Sequence, residues 1–240
     1  MSITPEQAAH ELRDPVVNVP SRVMTNPATY ARGAELGFEG MDFYVAGRGG
    51  ALGDVPADVV TAAFVFFEPN TVRAAWERTA PVMARRQAAR EWAAMFAELA
   101  PSLLPADRDW TACADSLGKV VRAALVAGAP LFAGWRDLPE PDDVRALVMH
   151  RLNALRELRG GLHGAAVLTV GLLPLEAIAV KTPAIVKIFG WPDEPIDPEP
   201  LSQRWALAEA RTDRMFGRYL AVLSDDERGA LVEMLGNLGT

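Results

Sequence analysis

The stretch ALVMHRLNALRELRGGLHGAAVL, residues 146–168, limits the fold more than any other part of the chain. Leu147, Val148, Leu152, Leu155, Leu158 and Leu162 recur at helical spacing, as an apolar helix requires. At 100° per residue, His150 and Glu157 fall on one face. Arg156, Arg159 and His163 fall on a second face about a quarter turn away, if the helix continues through Gly160 and Gly161. Ionisable groups set among leucines are costly to bury unless they pair with one another or serve a ligand. The chain must therefore surround this segment with other helices, and the expected fold class is mainly α.

The rest of the sequence agrees with that expectation. A short helix is predicted over 5–13, where Pro5 follows Thr4 and Glu6 lies in the first turn. Helical patterns follow over 27–36, from 54 or 56 to 67, from 69 toward 99 with a break near Pro81, and over 107–127, where Gly128 is the stop. Residues 36–56, LGFEGMDFYVAGRGGALGDVP, read as the least helical part. Glycines 47, 49, 50 and 53 surround Arg48 there without the Lys-Ser/Thr of a phosphate loop, so a tight connection is expected. Residues 129–138 read as a short bridge, followed by a helix over 141–159. Gly160-Gly161 is expected to interrupt it before a further helix from His163 toward Leu173. The acidic WPDEPIDPEP at 191–200 suits a stiff linker. Two helices, 201–222 and 225–237, close the chain, with Ser224 and Glu227 in capping-box spacing. The expected division is an N-terminal helical domain, 1–138, and a second, 139–240.

Composition enters through what it excludes. The net charge is −7 and only Lys119, Lys181 and Lys187 are lysines, so a phosphate-tracking groove is not expected and nucleic acid is set aside as a partner. Cys113 is the single cysteine, which rules out an intrachain disulfide and a thiolate metal cluster. Two histidines and a carboxylate could ligate a metal. No HExxH pairing is present, however, and neither metal nor cofactor is assigned. The first residues lack an apolar signal core, and the longest apolar stretch, Gly164 to Val180, is broken by Pro174 and Glu176. A cytoplasmic protein without membrane contact is expected.

His150, Leu155, Arg156, Glu157, Arg159, Gly160 and His163 resemble the signature of an actinobacterial family of helix-rich proteins related to MarR-type winged helix-turn-helix regulators. The resemblance extends to LGFEGMDFYVAGRGGALGDVPADVV, with Tyr44, Arg48 and Gly53 in register, and to GLLPLEAI around Glu176. The chain departs from the family where Leu158 and Val17 stand in place of histidines and Gly161 in place of an aspartate. EARTDRMFGRYLAVLSDDERGALVEML is similar to the dimerisation helices of those regulators, with Glu209, Thr212 and Asp213 matching. That resemblance implies C-terminal dimerisation-type helices, a possible homodimer, and a degenerate winged part shortened to an acidic, proline-broken segment.

Two readings of the polar cluster stay open. In one, Glu157 and the arginines form a structural network and the histidines are satisfied core groups. In the other, the cluster faces a pocket for a small molecule. There His150, Glu157 and His163 would act as catalytic acid/base groups, with Arg156, Arg159 and Arg48 binding substrate oxygen and Tyr44, Phe67 and Trp135 lining the site. The leading expectation is a cofactor-independent enzyme of specialised metabolism, of the cyclase, isomerase or hydrolase type, acting on a largely apolar substrate. The alternative is a non-catalytic ligand-sensing or protein-interaction module derived from a transcriptional regulator.

Overall fold

In the computed structural model, which describes residues 3–236 and 238, the chain is mainly α, with no strand among those residues. Thirteen α-helices occur there. Helices α1 (Pro5–Glu11), α2 (Arg13–Met24), α3 (Pro27–Glu35) and α4 (Asp42–Gly50) come first. Next are α5 (Ala57–Ala63), α6 (Pro69–Arg78), α7 (Arg85–Leu103), α8 (Thr111–Ala123) and α9 (Pro130–Arg136). The last four are α10 (Val144–Thr169), α11 (Pro174–Lys181), α12 (Ser202–Leu220) and α13 (Asp225–Gly236). The expected end of the final helix at 237 lies outside the described residues.

The local signals act as their chemistry requires. Thr4 Oγ1 accepts from Gln7 N, and Gln7 Oε1 accepts from Thr4 N, a reciprocal cap for α1. Asp143 caps α10 by accepting from the amides of Arg145 and Ala146. Ser224 and Glu227 form the expected box ahead of α13. α2 runs through Pro15, in its first turn, and Pro20. The first loses nothing there, because that amide has no intrahelical partner.

Two expectations fail, and in both the glycines serve close approach instead of turning the chain. Residues 42–50 form α4, every residue of which is buried. A Cβ on Gly50 would lie 2.2 Å from the Arg85 carbonyl oxygen, so only glycine lets α4 approach α7 this closely. Likewise α10 is one continuous helix through Gly160-Gly161. A Cβ on Gly161 would meet the Gly128 carbonyl oxygen at 2.7 Å and Ala129 at 2.8 Å, so the glycine admits the start of α9 against α10. The bridge expected at 129–138 is largely α9 itself.

α10 lies at the centre and packs against α2, α7, α8, α9 and α12. An apolar core including Trp92, Trp135, Phe96, Phe132 and Leu152, all at most 1% exposed, surrounds most of it, and a smaller cluster with Ala166, Val167 and Ala208 packs its C-terminal end. α12 covers the far half of α10 and also holds α1. The segment 182–201, expected from Trp191 on as a stiff linker and degenerate wing, has only two 3-10 turns, Pro183–Ile185 and Glu199–Leu201. Its front part straps back over the 64–67 turn. Phe189 O accepts from Glu68 N at 2.9 Å, Trp191 Nε1 donates to Phe66 O at 2.8 Å, and Phe189 stacks on Phe67 with ring centroids 3.8 Å apart. No helix among the described residues is long and apolar enough to cross a membrane.

Candidate functional site

A cavity of about 180 Å³ opens where α4, the 64–67 turn, the start of α9, α10 and the strap meet. α4 presents Tyr44 and Arg48 to it, one helical turn apart, and α10 presents Arg156, Glu157, Arg159 and His163. Phe66, Phe67 and Phe189 form the apolar wall. The turn carrying that wall is strained. Val65 adopts φ 29°, a left-handed conformation that a β-branched residue rarely holds unless its surroundings impose it. Its side chain fits over Gly164 of α10, whose added Cβ would lie 3.1 Å from it.

The charges form two clusters. In the first, Arg48 Nε and Nη2 donate to Glu157 Oε1 and Oε2, each at 2.8 Å, and Arg156 Nη1 donates to the same Oε1 at 2.9 Å. The guanidinium of Arg48 lies 4.6 Å from the Phe64 ring centroid, a cation–π contact. Burial alone would raise the Glu157 carboxyl, but the charge and hydrogen bonds of Arg48, then those of Arg156, hold it below the usual carboxylate range. Burial would conversely lower Arg48, and Glu157 more than reverses that. Both groups are therefore ionised and fully engaged with each other.

In the second cluster, Arg159 Nη2 donates to Glu209 Oε2 at 2.6 Å and to Asp213 Oδ1 at 3.5 Å, both on α12. Arg13 pairs with the same two carboxylates from α2, and His10 Nδ1 lies 3.3 Å from Asp213. Thr212 Oγ1 gives its proton to Ala208 O at 2.8 Å, so it accepts from His163 Nδ1 at 3.0 Å. That assigns the proton to Nδ1 by the network around it. Burial lowers the His163 imidazole to about 4, against an opposing pull from Glu209. The ring is neutral near pH 7 and sits between Phe66 and Trp205.

Tyr44, Arg48, Phe67, Arg156, Glu157, Arg159 and His163 thus meet at one hollow. His150 and Trp135 do not. His150 lies on the other half of α10 and Trp135 on α9 against it, with rings 5.4 Å apart, and Trp135 Nε1 donates to His150 O at 3.0 Å. Burial lowers His150 to about 4 as well. The sequence reading missed Arg13 and Phe189, and it gave Glu209 and Asp213 no partner. Its one available signal was three polar residues, Glu209, Thr212 and Asp213, at i, i+3 and i+4 on the face of α12 that also carries Ala208 and Phe216. Among the described residues, no group of three His, Cys, Asp or Glu side chains is placed to hold a metal ion.

Residues 9–204 match a helix-turn-helix family. No curated protein and no solved structure matches the chain. The family match overturns the leading expectation of a cofactor-independent cyclase, isomerase or hydrolase, because it points to the lineage of DNA-binding regulators. The geometry gives the physical reason. A Glu157 carboxylate held ionised by two arginines has no proton to give, and His150 lies elsewhere on α10. The match also returns nucleic acid to the partner classes, against the expectation from net charge.

Proposed function

The chain belongs to a helix-turn-helix family, and from that premise we propose that it is a non-catalytic, ligand-sensing module of regulator descent. The observation that carries this reading is a cavity with a charged wall, one member of which, Arg159, also forms the ion pairs that hold α12 to α10 and that Arg13 of α2 and His10 of α1 join. A guest touching Arg159 competes for a group that also fastens α12, so occupancy and the seating of α12 are thermodynamically linked. Kinship to MarR-type regulators and a homodimer built on α12 and α13 are finer parts of the proposal. Their support is the regulator-like Glu209, Thr212 and Asp213 pattern.

The test uses toluene as a neutral single-ring guest and benzoate as a charged one, with hydrogen exchange followed across the whole chain. Either guest at saturation is expected to slow exchange in α10 and α12 together. If neither alters exchange in those helices, the sensing reading is wrong.

A second reading, contact with duplex DNA, is favoured by one surface. Arg204, Arg211, Arg214 and Arg218 are all exposed and recur at i, i+7, i+10 and i+14, one face of α12. None of the four is ion-paired with a carboxylate among the described residues. Arg204 and Arg211 instead reach Gly171 O and Thr169 Oγ1 near the end of α10. If four phosphates were neutralised there, the affinity for a labelled duplex would fall with salt at a log–log slope of about −3.6. A slope unchanged by Gln at 211, 214 and 218 removes this surface from the account.

A further inference from the structure

The charge balance of the cavity selects its guest. Arg48, Arg156 and Arg159 line it against a single carboxylate, Glu157, while His163 is hydrogen-bonded through Nδ1 and contributes no acid. Glu157 is already saturated by Arg48 and Arg156, and Glu209 and Asp213 take only Nη2 of Arg159. The Nε atoms of Arg156 and Arg159 are buried with no hydrogen-bond partner, and Arg159 as a whole is only 5% exposed. A buried guanidinium donor left unpaired is costly, and the cost is relieved when an acceptor arrives. Both side chains, three residues apart on α10, line the one hollow.

The size and walls narrow the class further. An engineered cavity of about 150 Å³ in another protein holds one benzene molecule, and the present cavity of about 180 Å³ is a little larger. That leaves room for one ring and a small charged group. Phe66, Phe67 and Phe189 line the same hollow, where an aromatic guest gains contacts beyond its buried area.

We propose that this cavity binds a single-ring aromatic monoanion, its charged oxygen atoms held by Arg156 and Arg159 and its ring by Phe66, Phe67 and Phe189. The assignment rests on the ligand-sensing reading and names the ligand class of that same site. Arg48 and Glu157 serve as a fixed support that keeps Arg156 oriented. A dianion is disfavoured because Glu157, Glu209 and Asp213 stand behind the arginines, and a two-ring guest exceeds the hollow.

The experiment titrates the full chain with benzoate, benzamide and toluene by isothermal calorimetry, with saturation-transfer NMR for the weaker binders. Benzoate is expected to bind at least tenfold more tightly than benzamide and to weaken with added salt, whereas toluene binds independently of salt. Arg156→Gln, at a partly exposed position, is expected to reduce benzoate affinity at least tenfold and leave toluene unchanged. If that variant fails to fold, the salt dependence and the benzoate-to-benzamide ratio of the unaltered protein decide the matter. Equal binding of benzoate, benzamide and toluene overturns the anion assignment and leaves the sensing reading standing. No binding by any of them overturns both.

Discussion

The two halves of α10 both bury arginine, and they treat it in opposite ways. At the near half, Arg151 donates from Nε and Nη2 to Glu140 at 2.7 and 2.6 Å and from Nη1 to Ala114 O at 2.8 Å. Gly118 gives it room, since a Cβ there would lie 2.6 Å from Nη1. Every nitrogen of that side chain has a partner, and Trp135 closes the space beside it over His150. At the far half, Arg156 and Arg159 each keep a buried Nε without one, next to a hollow. The same residue type on one helix is scaffold where its donors are spent and a site where some are left over. The difference is in satisfaction of the donors, since burial is similar for Arg151 and Arg159.

The sharpest way to break that contrast is to cut one ion pair in each half. Glu157→Leu leaves Arg48 buried and unpaired, and a loss of about 3–5 kcal/mol in urea unfolding is expected. Arg151→Met is expected to cost only ~1–2 kcal/mol, because the abandoned Glu140, 44% exposed in its side chain, turns to water. Equal losses would mean that the two clusters are the same kind of structure.

A separate effect, roughly 3 kcal/mol per histidine, is expected on acidification. His150 and His163 each fall from the ordinary 6.5 to about 4 in the folded chain. Between those values the unfolded chain binds more protons, so stability falls as pH drops from about 6.5 toward 4 and is unaffected above that window. His150→Phe removes the share of the closed half. Its unfolding midpoint should decline less between pH 7 and pH 4.5 than that of the unaltered protein. A decline as steep as before would show that His150 takes up its proton while folded.

Much of this arrangement was readable from residue order. The 3.6-residue recurrence of leucines identified α10, the capping box at Ser224 marked α13, and the polar cluster named four of the groups that meet at the cavity, with Tyr44, Arg48 and Phe67 named from elsewhere in the chain. Two things were not readable, for physical reasons. Helical angle places His150 and Glu157 on one face, but seven residues at 1.5 Å each separate them by about 10 Å along the axis, enough for one to meet Trp135 and the other Arg48. Glycine is ambiguous as well: without a Cβ it serves a turn or a close contact equally well. Only the presence of Arg85 O opposite Gly50, and of Ala129 opposite Gly161, shows which. The enzymatic expectation failed for a related cause, since ionisable side chains on one helix say nothing about whether they are already bonded to partners distant in the chain.

The strap over the 64–67 turn has a consequence for traffic. Two hydrogen bonds and one ring stack hold it there, at about 1 kcal/mol apiece. Releasing them needs on the order of 3 kcal/mol, a doorway open in roughly one molecule of every hundred or more. Phe189 also lines the cavity, so a guest's exchange rate is expected to follow strap release and not the unfolding of the helices around α10, which separates the speed of exchange from the stability of the protein.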